Sequence, residues 1–212
     1  MREMSTAEKF GRSAERWTET QYADPAWYLG HRADLVLALG TRLEPRDTVL
    51  DLACGDAGFA QPLLARGLRY QGVDLSETMV AVARRRLGDS GAIELGDLNE
   101  FRPRRPVDAV TCFRAIYYAS DRPAFFRHVA SYASKKLVFD VNPRQYRVRE
   151  IVSEVRGAGF DTVVLRPFFA PQARALPRPL ARALISLERT GPLARLVLRR
   201  RFTYLCVASR RR

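Results

Sequence analysis

The sequence is poor in histidine, lysine and cysteine, and each shortage removes a class of protein. Two histidines, His31 and His128, leave few general bases and no cluster of imidazole ligands for a divalent metal. Three cysteines among 212 residues cannot make a disulfide framework, and their spacing fits no zinc pattern. No apolar run approaches the roughly 18 residues of a membrane-spanning helix. The opening residues MREMSTAEKFGRSAERW lack the apolar stretch of a secretory signal, so an intracellular, cytoplasmic protein is expected. Acidic residues are scarce in one place only. Residues 1–165 carry 24 basic and 22 acidic side chains, whereas residues 166–212 carry 12 basic ones and a single acid, Glu188. The net charge of +13 thus sits mostly in the tail. Of 36 basic residues only Lys9, Lys135 and Lys136 are lysines.

What is present is a regular alternation. Residues 1–46 read as helical, with a break at Asp24-Pro25. From Asp47 onward short β-rich runs alternate with helical stretches: TVLDLA, RYQGVD, AIELGD, VDAVTCF, KLVFDV and FDTVVLR are the strands. Such alternation predicts a doubly wound α/β fold, a mostly parallel sheet covered on both faces. A single domain is expected, with a helical cap over 1–46, a nucleotide-binding core over 47–166 and a basic helical insertion over 167–200. A last strand follows over 201–209. In the insertion, Arg178, Arg182 and Arg189 share one helical face, while Leu180, Leu184 and Leu187 share another. A second, more apolar helix is expected in PLARLVLRRRF.

Ligands of open α/β sheets bind beyond the carboxyl ends of the strands. VLDLACGDAGFA places Asp51 at the first strand end, then a small-residue turn around Gly55 and Gly58 leading into a helix. Glycine there admits close backbone approach, and the helix start offers free N–H groups. A two-glycine turn alone also fits an ordinary tight connection. QGVDLS and ELGDLN add Asp74 and Asp97 at the next two strand ends, where carboxylates can receive ribose hydroxyls and an exocyclic amine. The G-x-G-x-x-G turn of nicotinamide-binding proteins is absent.

These segments resemble the class I S-adenosylmethionine-dependent methyltransferases, in their small-molecule branch, over roughly residues 47–165. The resemblance implies a seven-stranded Rossmann-like sheet with an antiparallel last strand. It implies S-adenosylmethionine as cofactor, with S-adenosylhomocysteine as product and no metal. On the matching positions it implies cofactor contacts from Asp51, Ala53, Gly55, Asp74, Leu75, Met79, Asp97, Leu98 and Phe113. Ala53 and Ala57 stand where glycine is common in the family, a change tolerable where φ is negative.

The expected reaction is methyl transfer to a bulky or apolar small molecule, of the kind found in secondary metabolism, with oxygen slightly preferred over nitrogen or carbon. Catalytic candidates are His31, Arg114 and Tyr117; candidates for acceptor contacts are Tyr22, Tyr28, Tyr118, Asn142 and Arg144. Asn142-Pro143 does not make the N-P-P-Y motif of base-amine methyltransferases, because it follows the wrong strand and lacks the second proline and the aromatic residue. The basic segment 174–201 is compatible with a pocket roof, with a solvated face or with contact to an anionic membrane or acidic partner. Nucleic acid ranks last, since leucines stand where stacking aromatics would be expected. A methyltransferase acting on RNA or DNA and a non-enzymatic ligand-binding protein remain the alternatives, as monomer or homodimer.

Overall fold

The computed structural model describes residues 14–191, 194 and 203–210. Seven strands form one sheet: β1 (Thr48–Leu52), β2 (Arg69–Asp74), β3 (Ala92–Leu95), β4 (Val107–Cys112), β5 (Ala133–Val141), β6 (Thr162–Phe168) and β7 (Thr203–Ser209). Their order is β3-β2-β1-β4-β5-β7-β6, and β7 runs antiparallel to both of its neighbours. This is the expected Rossmann-like sheet. Its order reverses between β1 and β4, and the crevice at such a reversal is where these sheets bind ligands.

The central strands are apolar because both faces are covered. Leu50, Leu52, Val110, Leu137 and Phe139 face one core; Val49, Ala109, Val138 and Val207 face the other. Helices α4 (Glu77–Leu87), α5 (Arg122–Ala130) and α6 (Val148–Gly157) follow β2, β4 and β5, and the short α3 (Ala60–Leu64) follows β1. Caps fix two of these starts. Ser76 accepts from Met79 N at 3.4 Å, and Asp121 from Ala124 N at 2.9 Å.

The expected helical cap is two helices, α1 (Trp17–Gln21) and α2 (Pro25–Ala38), rather than helix to residue 46; residues 1–13 lie outside the described part. Asp24 caps α2 by accepting from Trp27 N at 3.0 Å, with Pro25 in its first turn. The helix stops at Ala38, because Gly40 turns left-handed (φ 65°) against β7 and a Cβ there would overlap the Ser209 hydroxyl. Beside this turn the fully buried Lys136 donates to the carbonyls of Leu37 (3.4 Å) and Leu39 (2.8 Å).

Beyond β6 the chain forms α7 (Arg178–Leu187), which packs Leu184 and Leu187 toward Phe169, Ala194 and Tyr204. The leucine face is narrower than its spacing suggests: Leu180, in the first turn, is half exposed, and Ala181 is buried in its stead. The expected second helix lies outside the described residues apart from Ala194. No helix among the described residues is long and apolar enough to cross a membrane.

Candidate ligand-binding site

The carboxyl ends of β1 to β4 open into a cavity of about 330 Å³, roofed by α1 and α2. Asp51 lies at its floor, fully buried, accepting from the Thr111 hydroxyl at 2.6 Å and from the Tyr70 hydroxyl at 2.9 Å. Burial raises its pKa to about 6 against the opposing pull of those two donors. The chain then leaves the sheet through three left-handed residues, Ala53 (φ 58°), Gly55 (φ 57°) and Ala57 (φ 56°). Both alanines thus sit at positive φ, outside the range in which the exchange for glycine is free of strain. Each holds a conformation that costs a residue with a Cβ about 1–2 kcal/mol, so the family's turn is kept at positions where glycine would relieve it.

Asp74, at the end of β2, ties this turn down. Its carboxylate accepts from Gly55 N at 2.8 Å and from Ser76 N at 2.9 Å, while burial raises its pKa. Asp97, beyond β3, accepts from both the backbone and the side-chain nitrogen of Asn99 at 2.8 Å. Beside it Leu98 is buried in the wall. Met79 and Leu75 complete this end of the cavity, with Leu75 half exposed.

At the other end stand Tyr22, Phe113, Arg114, Tyr117 and Tyr118. Arg114 is also left-handed (φ 54°), pinned by its N–H to the Asp140 carboxylate at 2.6 Å, and its guanidinium donates to Gln21 Oε1 at 3.0 Å. The Tyr117 and Tyr118 rings lie 4.3 Å apart. Burial, then the bond with Tyr118, pushes the Tyr117 hydroxyl up to about 12, so it serves as a donor rather than a base near neutrality.

Four expected site residues do not line the cavity. His31 turns away, with Nε2 2.9 Å from the buried Glu188 carboxylate and its ring stacked between Trp27 and Phe168. It ties α2 to α7, and it is a tertiary link because its partner lies 157 positions along the chain. Tyr28 packs in the core, where its hydroxyl accepts from Arg32 Nη2 at 2.8 Å and burial raises its pKa to about 12. Asn142 turns its side-chain oxygen onto Arg144 N at 3.0 Å, closing the loop after β5, and neither residue reaches the cavity.

Other residues of the site were not singled out from the sequence. Arg32 is foremost. Its guanidinium is buried against the rings of Phe113 (4.2 Å), Tyr28 (4.8 Å) and Phe168 (5.1 Å), and it reaches the cavity wall. Its Nε is buried without a hydrogen-bond partner, and no described carboxylate forms an ion pair with it. The only sequence signal was its i+4 spacing from Tyr28 on a helix with an apolar face. Thr18 and Asp56 form the second missed group. Asp56 accepts the Thr18 hydroxyl (2.6 Å), the Thr18 N–H (2.9 Å) and Arg86 Nη1 (2.7 Å), clamping α1 over the glycine turn. Gly58 makes room for this clamp, since a Cβ there would overlap the Thr18 side chain. Trp17 lines the same roof and packs beside Met79 and Val82.

A strand-end acid, a left-handed turn and two further strand-end carboxylates around one crevice define the class I S-adenosylmethionine-dependent methyltransferase architecture. Residues 49–136 match the family model described as a methyltransferase domain, and the sheet around them has the Rossmann-like fold of such domains. Two curated relatives align with parts of the chain. One is the dTDP-4-amino-2,3,4,6-tetradeoxy-D-glucose N,N-dimethyltransferase of Saccharopolyspora spinosa, 33% identical over 86 residues, 40% of this chain and 34% of that protein. The other is the dTDP-3-amino-3,4,6-trideoxy-alpha-D-glucopyranose N,N-dimethyltransferase of Streptomyces venezuelae, 29% identical over 107 residues, 50% of this chain and 45% of that one. The aligned stretches thus span less than half of either relative. Among solved structures, magnesium protoporphyrin IX methyltransferase from Synechocystis, with bound S-adenosylmethionine, shares the fold at a TM-score of 0.60. It is 17% identical, over 100% of this chain and 86% of that one.

Proposed function

We propose that this chain transfers a methyl group from S-adenosylmethionine to the nitrogen of a small-molecule amine. The observation that carries this reading is the convergence of Asp51, Asp74, Asp97 and the Gly55 turn on one cavity. The cavity fits the cofactor by its own chemistry. Asp74 and Asp97 keep lone pairs free for ribose hydroxyls and an adenine amine, and the left-handed Gly55 exposes backbone to a close neighbour. The buried, half-partnered Arg32 is a cation waiting for an anion, and the cofactor's α-carboxylate supplies one. When bound, S-adenosylmethionine supplies a methyl group on a positively charged sulfur, displaced in line by the acceptor.

Nitrogen replaces the earlier preference for oxygen. An alcohol needs a general base at its proton, whereas a neutral amine carries its own lone pair and needs only positioning. The described lining of the cavity holds no histidine and no lysine. Its best-placed carboxylate, Asp51, already has an acceptor oxygen on each of two hydroxyls. The two aligned relatives are both named as N,N-dimethyltransferases, which supports the same choice. Arg114, Tyr117 and Tyr118 would then orient the acceptor, and the N-terminal helices would exclude water from the transfer.

Calorimetry with S-adenosylhomocysteine tests the cofactor half: wild type binds, and Asp74→Ala loses most of that affinity. Absence of binding at millimolar ligand would sink the proposal. Paired primary amines and their alcohol analogues, followed by release of S-adenosylhomocysteine, test the acceptor half. Turnover of an alcohol without its amine would reverse the assignment.

A further inference from the structure

Three exposed arginines lie at the sheet edge that bears the cavity, outside the cavity itself. Strand β6 runs parallel to β1–β5, so the segment after it, including α7, emerges at the same sheet edge as the cavity. Residues 166–212 carry one acid against 12 basic side chains, and that acid is turned inward. The Glu188 side chain is fully buried, accepting from Phe169 N at 2.7 Å and bonded to His31. Arg178 and Arg182 on α7 and Arg189 just past its end are all exposed, and no described carboxylate pairs with any of them. The same edge also holds exposed apolar tips. Leu95 and Leu180, neither of which lines the cavity, are each about half exposed, at the end of β3 and in the first turn of α7.

From this combination we infer that the cavity-bearing edge docks on an anionic lipid bilayer. Exposed cations alone would suit any polyanion. Leucine tips beside them favour a surface with an apolar layer beneath its charge, because leucine offers a nucleic acid base no ring to stack on. The Arg face supplies long-range attraction to acidic headgroups, and the leucines supply a shallow apolar contact. Docking in this orientation turns the mouth of the cavity toward the bilayer, where amphiphilic acceptors concentrate. The inference does not rest on the acceptor atom proposed above.

The test is flotation of the full chain with vesicles rich in phosphatidylglycerol, against vesicles of phosphatidylcholine alone. Wild type is expected to float with the anionic vesicles at low salt and to be released as salt screens the headgroups. Replacing Arg178, Arg182 and Arg189 by glutamine should weaken binding about fivefold per arginine, so about a hundredfold together. The control removes equal charge from the opposite edge of the sheet, through Arg102, Arg104 and Arg105 to glutamine before β4; its binding should change by less than threefold. Leu95→Ser with Leu180→Ser should lower binding without altering its salt dependence. Calorimetry with S-adenosylhomocysteine reports whether each variant is folded. Equal losses in the two arginine triples, no flotation with anionic vesicles, or tighter binding to duplex RNA than to vesicles would each overturn the inference.

Discussion

Replacing Arg32 by methionine separates the cofactor reading from a merely structural one. In the unliganded protein the guanidinium carries a desolvation penalty of several kcal/mol, as a buried ion does. Three aromatic faces between 4.2 and 5.1 Å from its centre return about 1–2 kcal/mol each, and the bond to the Tyr28 hydroxyl about 1 kcal/mol. These contributions nearly cancel. Methionine fills a similar volume without charge, so unfolding free energy in urea is expected to change by less than about 2 kcal/mol. Binding should behave differently. Removing one member of a buried charge pair costs about 2–5 kcal/mol, which is roughly 30- to 5,000-fold in affinity. Calorimetry should therefore show S-adenosylhomocysteine, which keeps the α-carboxylate, losing at least about 30-fold on Arg32→Met. 5′-Methylthioadenosine lacks that group and should bind wild type and variant alike, within about threefold. Equal losses for both ligands would mean that Arg32 shapes the cavity by packing; no loss for either would mean that its partner is elsewhere. Either result refutes the assignment.

Gly58→Ala forces a methyl into Thr18, so it should lift α1 off the glycine turn and cost about 1–3 kcal/mol in denaturant unfolding. S-adenosylhomocysteine affinity should fall with it. Ala53→Gly should leave stability within about 1 kcal/mol, since relief of the left-handed strain is offset by the flexibility of glycine, whereas Ala53→Val should destabilise measurably by thermal melting. Burial lowers the Lys136 pKa from 10.5 to about 7, so between those values the unfolded chain binds more protons than the native one. Stability should consequently rise with pH across that window and level off below pH 7, and Lys136→Met should flatten this part of a urea-unfolding pH series.

The strands were legible because a doubly covered sheet demands continuous apolar runs, and these stand out in the sequence at VLDL and LVFDV. The three strand-end acids were legible for a related reason: in a parallel sheet every strand end falls at one edge, so sequence position alone brings Asp51, Asp74 and Asp97 together. The helical insertion was legible in part, through the spacing of its arginines and leucines. The length of its apolar stripe was not, because whether Leu180 is covered depends on what packs there. His31, Tyr28, Asn142 and Arg144 were misplaced for the same cause. A residue's distance along the chain from a strand end says nothing of which way its side chain turns.

By itself, the sequence determined the element order, the sheet, the acid-lined edge and the confinement of positive charge to the tail, since all of these depend on local pattern or on composition. Only the tertiary structure decided where the cations and bases stand. It drew His31 away onto Glu188, 157 positions distant, and left Arg32 buried at the cavity wall with an unfilled donor. It also turned the tail's lone acid inward, so that the outer face of α7 presents arginine alone among its charges. Those outcomes depend on pairings across the fold, where burial sets the energy of each charge, and no local pattern records them.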